Sequence, residues 1–499
     1  MTTTSNSTSR QKVAGLRASA AAFAIVAIAL IVLSAQRVWL AATQPLWFDE
    51  AWTAQIAATP DWSTFARDVF NDIQAPLYYL TMRLWTSVAG VSDLALRAPA
   101  LLALTLAGAI PTFSKIKSLS RHGHLTWSVL IFAWWGIGLF LSGRGYALLL
   151  AVSTAQCVVF AQLLDKPSGA VAWRWSALAC IAILIHYLAV IAVIAQGLVY
   201  LLSRRERALR TWPALLAFAP ACGWIGYHGP RLAEFSRMQA WHPFVTAQSA
   251  VSLLAWAIAP LTSWMPVVVG FVLISALLTS RKTTTEGPDA APVAHLWLTV
   301  FAAALGLGLM LILGAIKPVL TPRYVIPLIP GLLLGVVLIA RRSAYAPLIS
   351  FVLMAIYLAS ALRPGALQEL VRQGVPYGYE RGSTTLMRHG VNHLVFVWDH
   401  PAARFEHPDS MQRVGGVFFQ RAGRPVMVTV IAPTPTQDAN TLALAAATPQ
   451  RSGIIWLYDR TSVTSAQRFP PRISAADPRW TCEREGDTMI GTLTCYRQP

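Results

Sequence analysis

Charge is what this chain has least of. Asp, Glu, Lys and Arg make up 12% of its 499 residues, about half the roughly 25% usual in soluble domains. That shortage excludes a soluble globular enzyme and a disordered chain, both of which need a large water-facing complement. Cysteine is also scarce, at five residues, which excludes a disulfide-dense secreted scaffold. Acids are outnumbered by bases, 22 to 40, giving a net charge of +18. No CxxC, HExxH, P-loop or GxGxxG occurs in a fitting context, so thiol-redox, zinc-protease and NTPase readings have no support. In their place stand apolar residues, 55% of the chain with 19 Trp, and a mean hydropathy of +0.51.

The apolar residues are grouped. Uncharged stretches cover 18–36, 98–114, 122–143, 145–164, 175–203, 211–230, 238–280, 290–316, 324–340 and 343–362. A helix needs about 20 mostly apolar residues to cross the hydrocarbon core, so the fold class is a polytopic α-helical membrane protein. The run 175–203 is too long for one span and is predicted to fold as a hairpin near His186-Tyr187. The run 238–280 is predicted to hold an interfacial segment over 247–260 and a span over 261–279. The first run reads as a span rather than a cleaved signal peptide, because no convincing cleavage site follows it.

Basic residues set the expected orientation. Arg10, Lys12 and Arg17 precede the first span. Alternate connections then carry Lys115/Lys117/Arg121, Lys166/Arg174, Arg204/Arg205/Arg207/Arg210, Arg281/Lys282 and Arg341/Arg342, against only Asp165, Glu206, Glu286 and Asp289. This places the N-terminus in the cytoplasm, provided that 76–90, which contains Arg83, lies flat as an amphipathic interfacial helix. Eleven spans and an extracytoplasmic C-terminus follow. Most of the +18 is then a topology signal, and nucleic acid is not needed to explain it.

Three regions result: a cytoplasmic tail over 1–17, a transmembrane catalytic domain over 18–363 with its first outer loop at 41–93, and a soluble domain over 364–499. The last holds strand-like runs at 394–398, 426–431 and 454–458 between turn residues, and reads as an extracytoplasmic α/β domain. Cys482 and Cys495 flank Gly486 and Gly491 in an expected hairpin, where a disulfide fits an oxidising compartment. Cys157, Cys180 and Cys222 fall in spans and read as small apolar filler.

The first outer loop is acidic, with Asp49, Glu50, Asp61, Asp68, Asp72 and Asp93 against Arg67 and Arg83. Asp49 and Glu50 lie in Trp47-Phe48-Asp49-Glu50-Ala51-Trp52, just past the first span. Carboxylates desolvated among aromatics beside a bilayer are expected to be drawn toward the range of a general base. Downstream come Asp72-Ile73-Gln74-Ala75-Pro76-Leu77-Tyr78-Tyr79-Leu80, Leu96-Arg97-Ala98-Pro99, Ser142-Gly143-Arg144-Gly145-Tyr146, Ile185-His186-Tyr187 and Pro322-Arg323-Tyr324. All are expected at or near the outer face.

In order and side, these motifs resemble the GT-C superfamily of polyprenyl-phosphate-sugar glycosyltransferases. The likeness is to bacterial relatives of protein O-mannosyltransferases and lipid A aminoarabinose transferases, over about residues 20–345. The resemblance implies an inverting glycosyltransferase of the bacterial cytoplasmic membrane. Its donor is a polyprenyl-monophosphate sugar, and its acceptor hydroxyl belongs to a lipid, glycan or protein of the cell envelope. An acid in the first outer loop deprotonates the acceptor, a role that maps onto Asp49 with Glu50 as neighbour and alternate. Gln74-Ala75-Pro76 departs from the family tract, which often reads His-Pro-Pro.

The departing lipid phosphate needs cations, and the planar fork of Arg suits it. Arg144, Lys317 and Arg323 are the candidates, with Lys317 and Arg323 expected to converge from one short connection. Tyr324 belongs with them. Asp72, Tyr78, Tyr146 and His186 are candidate substrate-binding residues, each equally readable as a cap, an interfacial aromatic or a satisfied core histidine. Arg97 is expected to anchor its span or to pair with a first-loop acid. A looser group, His228, Arg231, Arg237, Trp241 and His242, is a candidate lining of the groove. Mg²⁺ or Mn²⁺ binding by the Asp-rich loop is left open, since its scattered acids make no recognisable cage. The competing readings are a lipid or saccharide transporter and a non-catalytic membrane scaffold. No internal repeat or mid-span charge supports the transporter.

Overall fold

The computed structural model describes residues 5–498 except 135–141, 239–243, 259–264, 281–292, 319, 363–377, 401, 402, 404, 435, 450, 460, 461 and 487–489, with side chains from residue 24 onward. Trp241, His242, Arg281, Lys282, Glu286, Asp289 and the expected domain boundary at 363–364 therefore lie outside the described residues.

The membrane part is helical: α1 (Ser5–Thr43), α2 (Phe48–Ala57), α3 (Trp62–Asn71), α4 (Pro76–Ala89), α5 (Asp93–Phe113), α6 (Arg121–Phe132), α7 (Tyr146–Asp165), α8 (Gly169–Ile185), α9 (Ala189–Ser203), α10 (Arg205–Arg210), α11 (Ala219–Met238), α12 (Ala247–Ile258), α13 (Met265–Leu278), α14 (Ala294–Ile316), α15 (Ile329–Arg342) and α16 (Ala346–Leu362). Short 3-10 turns at Trp212–Phe218 and Pro322–Leu328 lead into α11 and α15. Among the described residues five helices are long and apolar enough to cross a membrane: Ala24–Thr43, Asp93–Phe113, Tyr146–Asp165, Ala294–Ile316 and Pro322–Arg342. Shorter apolar helices include α8, α9, α12 and α16. The chain is a multi-pass membrane protein.

Local sequence explains the breaks. The run 175–203 divides at His186–Leu188 into α8 and α9, and 238–280 divides into α12 and α13. Between α1 and α5 the chain makes three short helices. Asp61 caps α3 by accepting from Thr64 N at 2.7 Å, and Pro76 opens α4 where its missing N–H costs nothing. Arg83 of α4 is buried and turns back to donate to Thr59 O and Pro60 O. Its guanidinium lies 4.2 Å from the Trp62 ring centroid.

The C-terminal domain is α/β, with α17 (Gly378–Arg388), β1 (His393–Asp399), α18 (Pro408–Arg421), β2 (Met427–Ile431), α19 (Ala439–Ala446), β3 (Ser452–Asp459), α20 (Val463–Ala476), β4 (Trp480–Gly486) and β5 (Ile490–Arg497). The sheet order is β2-β1-β3-β5-β4. The strands β1, β2 and β3 are parallel, while β5 is antiparallel to β3 and β4. Cys482 lies opposite Cys495 in the β4–β5 ladder and is bonded to it.

Central β1 is apolar on both faces, as a covered parallel strand requires. Val395 and Val397 pack under α19 and α20. Leu394 and Phe396 face the other way, into a core with Tyr379, Leu386, Val414 and Phe418. That second core also contains Leu46, Trp52, Ile56, Phe65, Val69, Tyr79 and Met82 from α2, α3, α4 and the segment before them. The C-terminal α/β region and the acidic loop thus share one hydrophobic core.

Candidate active site

Asp49 and Glu50 are the second and third residues of α2, where a carboxylate meets the positive end of the helix dipole. Neighbours on a helix point about 100° apart, and these two acids part company. Glu50 is turned inward and is 1% exposed. It takes a bidentate fork from Arg97, at 2.8 Å (Nε to Oε1) and 2.6 Å (Nη2 to Oε2). Gly143 N donates to Oε1 at 2.6 Å and Trp47 N to Oε2 at 3.2 Å. Arg97 spends its other donors on Ala41 O, Gln44 O and Pro45 O. Carboxylate and guanidinium are both fully satisfied, and together they tie the end of α1, the start of α2, α5 and the 142–145 loop.

That loop carries Arg144 between two glycines, one of them for a steric reason. A Cβ on Gly145 would sit 3.1 Å from Tyr78 Cγ and 3.2 Å from Ile185 Cγ2, whereas one on Gly143 would meet Leu96 O and the Glu50 side chain only at ordinary contact distance. Laid flat in this way, the loop buries Arg144 to 7% exposure. Its Nη2 lies 3.7 Å from Asp49 Oδ2. Its Nη1 donates to Thr53 Oγ1 at 3.2 Å, Tyr79 OH at 3.3 Å and Asp49 O at 3.4 Å. The Asp49 side chain keeps 31% of its surface exposed, so it is open to a reactant as Glu50 is not.

Asp72 ends α3 and is buried. It accepts from its neighbour Ile73 N at 2.6 Å and from Tyr79 OH. Burial pushes its carboxyl up from the ordinary range, against the pull of Arg144. Glu406 of the C-terminal domain approaches the same place, and its carboxyl is also raised, first by burial and then by Asp72. A line of polar groups, Asp49, Arg144, Tyr79 and Asp72, therefore runs beneath the domain interface.

Beside Arg144 a narrow pocket opens, lined by Gln74, Ala75, Tyr78, Tyr79, Arg144, Gly145, Tyr146, Ile185 and His186, with about 290 Å³ of empty space including its mouth. Among the described residues Tyr78 OH and His186 Nδ1 are buried there without a hydrogen-bond partner. Buried polar atoms without partners call for a ligand or water. The His186 ring lies 5.0 Å from that of Tyr324 and 6.4 Å from that of Tyr146. Arg323 reaches both tyrosines, at 5.7 and 5.9 Å from their ring centroids, and its Nε is buried without a partner among the described residues. The structure thus gathers Arg144, Arg323, Tyr78, Tyr146, Tyr324 and His186 around one space.

Lys317 stands apart. It ends α14 in extended backbone with its side chain exposed, and no contact joins it to Arg323. His228 is buried and satisfied, with Tyr187 OH 2.7 Å from Nδ1 and Phe70 O 2.9 Å from Nε2. Arg231 donates to Phe405 O and so contacts the C-terminal domain. Among the described residues no three His, Cys, Asp or Glu side chains come together as a metal site. Tyr79, Thr53 and Glu406 were not legible as site residues. Tyr79 had a usable signal, since it lies one turn into a Pro-started helix that follows Asp72.

The arrangement defines a class of architecture: a multi-pass helical bundle with its acidic loop roofed by an α/β domain. No family model and no curated protein matches the sequence. Solved structures do match in fold. The chain is similar to ArnT from Cupriavidus metallidurans, a lipid A aminoarabinose transferase. In the apo state that protein is 12% identical, with a TM-score of 0.57 over 95% of this chain and 98% of that one. Bound to undecaprenyl phosphate, it is 12% identical with a TM-score of 0.51 over 94% and 97%.

Proposed function

We propose that the chain is an inverting glycosyltransferase. It moves a sugar from a polyprenyl-monophosphate donor to a cell-envelope hydroxyl, on the outer side of the cytoplasmic membrane. The observation that carries this reading is the pairing of an accessible carboxylate, Asp49, with Arg144 at the edge of a pocket in which Tyr78 OH and His186 Nδ1 have no hydrogen-bond partner among the described residues. The fold likeness to a protein solved with undecaprenyl phosphate supports it.

In this mechanism Asp49 takes the proton of the acceptor hydroxyl as its oxygen attacks the anomeric carbon. The bond from that carbon to the phosphate oxygen breaks, and the phosphate leaves with its electron pair. Arg144 and Arg323 receive the developing charge through charge-assisted hydrogen bonds. Tyr78, Tyr146, Tyr324 and His186 orient phosphate and sugar oxygens. Glu50 holds Arg97 and the Arg144 loop and is not the base. Asp72 orients Tyr79, which in turn contacts Arg144.

The test uses the full chain in lipid nanodiscs with a panel of undecaprenyl-phosphate sugars, reading release of undecaprenyl phosphate. Asp49→Asn is expected to slow turnover by about 10²- to 10⁴-fold while undecaprenyl phosphate still binds. Full activity in that variant removes Asp49 as base. Failure of the wild type to bind any member of the panel overturns the glycosyltransferase reading.

A further inference from the structure

The helices that build the pocket also reach the far end of the bundle. Tyr146 opens α7 beside the pocket and Asp165 closes it, roughly 30 Å away at 1.5 Å per residue. At that end Arg204 Nε donates to Leu164 O at 3.1 Å and leads into α10, a helix with no buried residue. Arg204, Arg205, Arg207 and Arg210 put four guanidiniums into seven residues, with Glu206 as the lone acid among them. Among the described residues Arg205, Arg207 and Arg210 have no carboxylate partner.

Apolar side chains border this strip. Leu202 is 80% exposed, Leu209 61%, Trp212 60%, Leu215 56% and Leu216 61%. The turn Trp212–Phe218 packs inward through Phe218, whose ring lies 6.2 Å from that of Trp175, and this leaves Trp212 and Leu215 facing out. Positive charge at a helix end is common in membrane proteins. A fully exposed arginine helix running straight into an exposed Trp-Leu band is more specific. It matches the junction of lipid headgroups and acyl chains, where Arg meets phosphate and Trp sits in the interface.

We propose that α10 and the turn after it form a binding surface for anionic phospholipid headgroups, in the leaflet opposite the candidate active site. The guanidiniums pair with lipid phosphates, and Trp212, Leu215 and Leu216 enter the acyl boundary. The apolar band decides against a soluble polyanion, which would leave it in water. The inference does not depend on the sugar-transfer reading.

Native mass spectrometry of the full chain with added cardiolipin, phosphatidylglycerol or phosphatidylcholine tests it. The wild type is expected to retain cardiolipin over phosphatidylcholine by about tenfold or more, in keeping with the pull of several basic residues on anionic lipid. The triple variant R205Q/R207Q/R210Q is expected to lose that preference while binding undecaprenyl phosphate as before. The single change Arg207→Gln, at an exposed position, gives a smaller drop in the same direction. A wild type without headgroup preference, or variants that keep it undiminished, overturns the proposal.

Discussion

Glu50 and Asp49 are adjacent in sequence and opposite in physical situation. Four donors converge on the buried Glu50 carboxylate, two of them from the Arg97 guanidinium. Breaking a buried pair by removing one charge leaves the other stranded, at about 3–5 kcal/mol. Glu50→Gln is therefore expected to lower the thermal unfolding midpoint in detergent markedly, whereas Asp49→Asn, altering a part-exposed group, is expected to leave it nearly unchanged. Equal shifts in the two variants would contradict the division of roles. The sequence carried half of this. It marked the acids and the Gly-Arg-Gly loop, and gave Arg97 as either the anchor of its span or the partner of a first-loop acid. Which acid Arg97 takes depends on the helical angle between neighbours and on a contact across 47 residues, neither of which residue order displays. Lys317 shows the same limit, because a six-residue spacing does not say whether two long side chains point into one space.

Within the elements, the parallel strands end on charged groups. Asp399 closes β1 beside Asp459 of β3, and His400 Nε2 lies 3.0 Å from Asp459 Oδ2. Burial, with Asp459 adding to it, raises the Asp399 carboxyl to about 6. The folded chain then holds a proton that the unfolded chain releases near an ordinary Asp value of about 4. The folded state binds more protons in that window, so this group's contribution is complete below about pH 4 and is lost as pH rises through 6. The unfolding midpoint of the wild type relative to Asp399→Asn is expected to fall across that range. An unchanging difference from pH 4 to 7 would show that Asp399 does not titrate there. The strands themselves were legible, since short apolar runs between turn residues mark them at 394–398 and 454–458. Their charged ends gather only because β1 and β3 run parallel in register, a tertiary fact. Helix positions were legible for a simpler reason, as a run without charge has few alternatives to burial in protein or lipid. How many helices cross is less so, because length alone separates a crossing helix from an interfacial one.

At the scale of the molecule, the C-terminal domain is part of the structure that holds Asp49, the proposed base. Phe48 and Trp52 lie one turn apart on α2, flanking Asp49. Phe48 meets Trp398 at 5.1 Å, Tyr379 at 5.9 Å and Phe396 at 6.4 Å, and Trp52 meets Trp398 at 5.3 Å. Leu46 N donates to Glu380 at 2.5 Å, Asp68 is held by Ser410 and Arg413, and Arg421 pairs with Asp93. A domain joined through a common core melts with it, since neither side can open without exposing the aromatics of both. Replacing a fully buried aromatic by Ala costs about 3–5 kcal/mol. Phe396→Ala, in the centre of the sheet, is thus expected to shift one shared unfolding transition that also reports on the acidic loop. It should slow the proposed turnover through Asp49 without abolishing binding of undecaprenyl phosphate, whose proposed pocket lies between α4, α7 and α8. Two resolved transitions, with only the C-terminal one displaced by Phe396→Ala, would show instead that the domain is a separable module. A chain cut before Gly378 would then still fold and bind undecaprenyl phosphate, whereas a shared core requires that it aggregate.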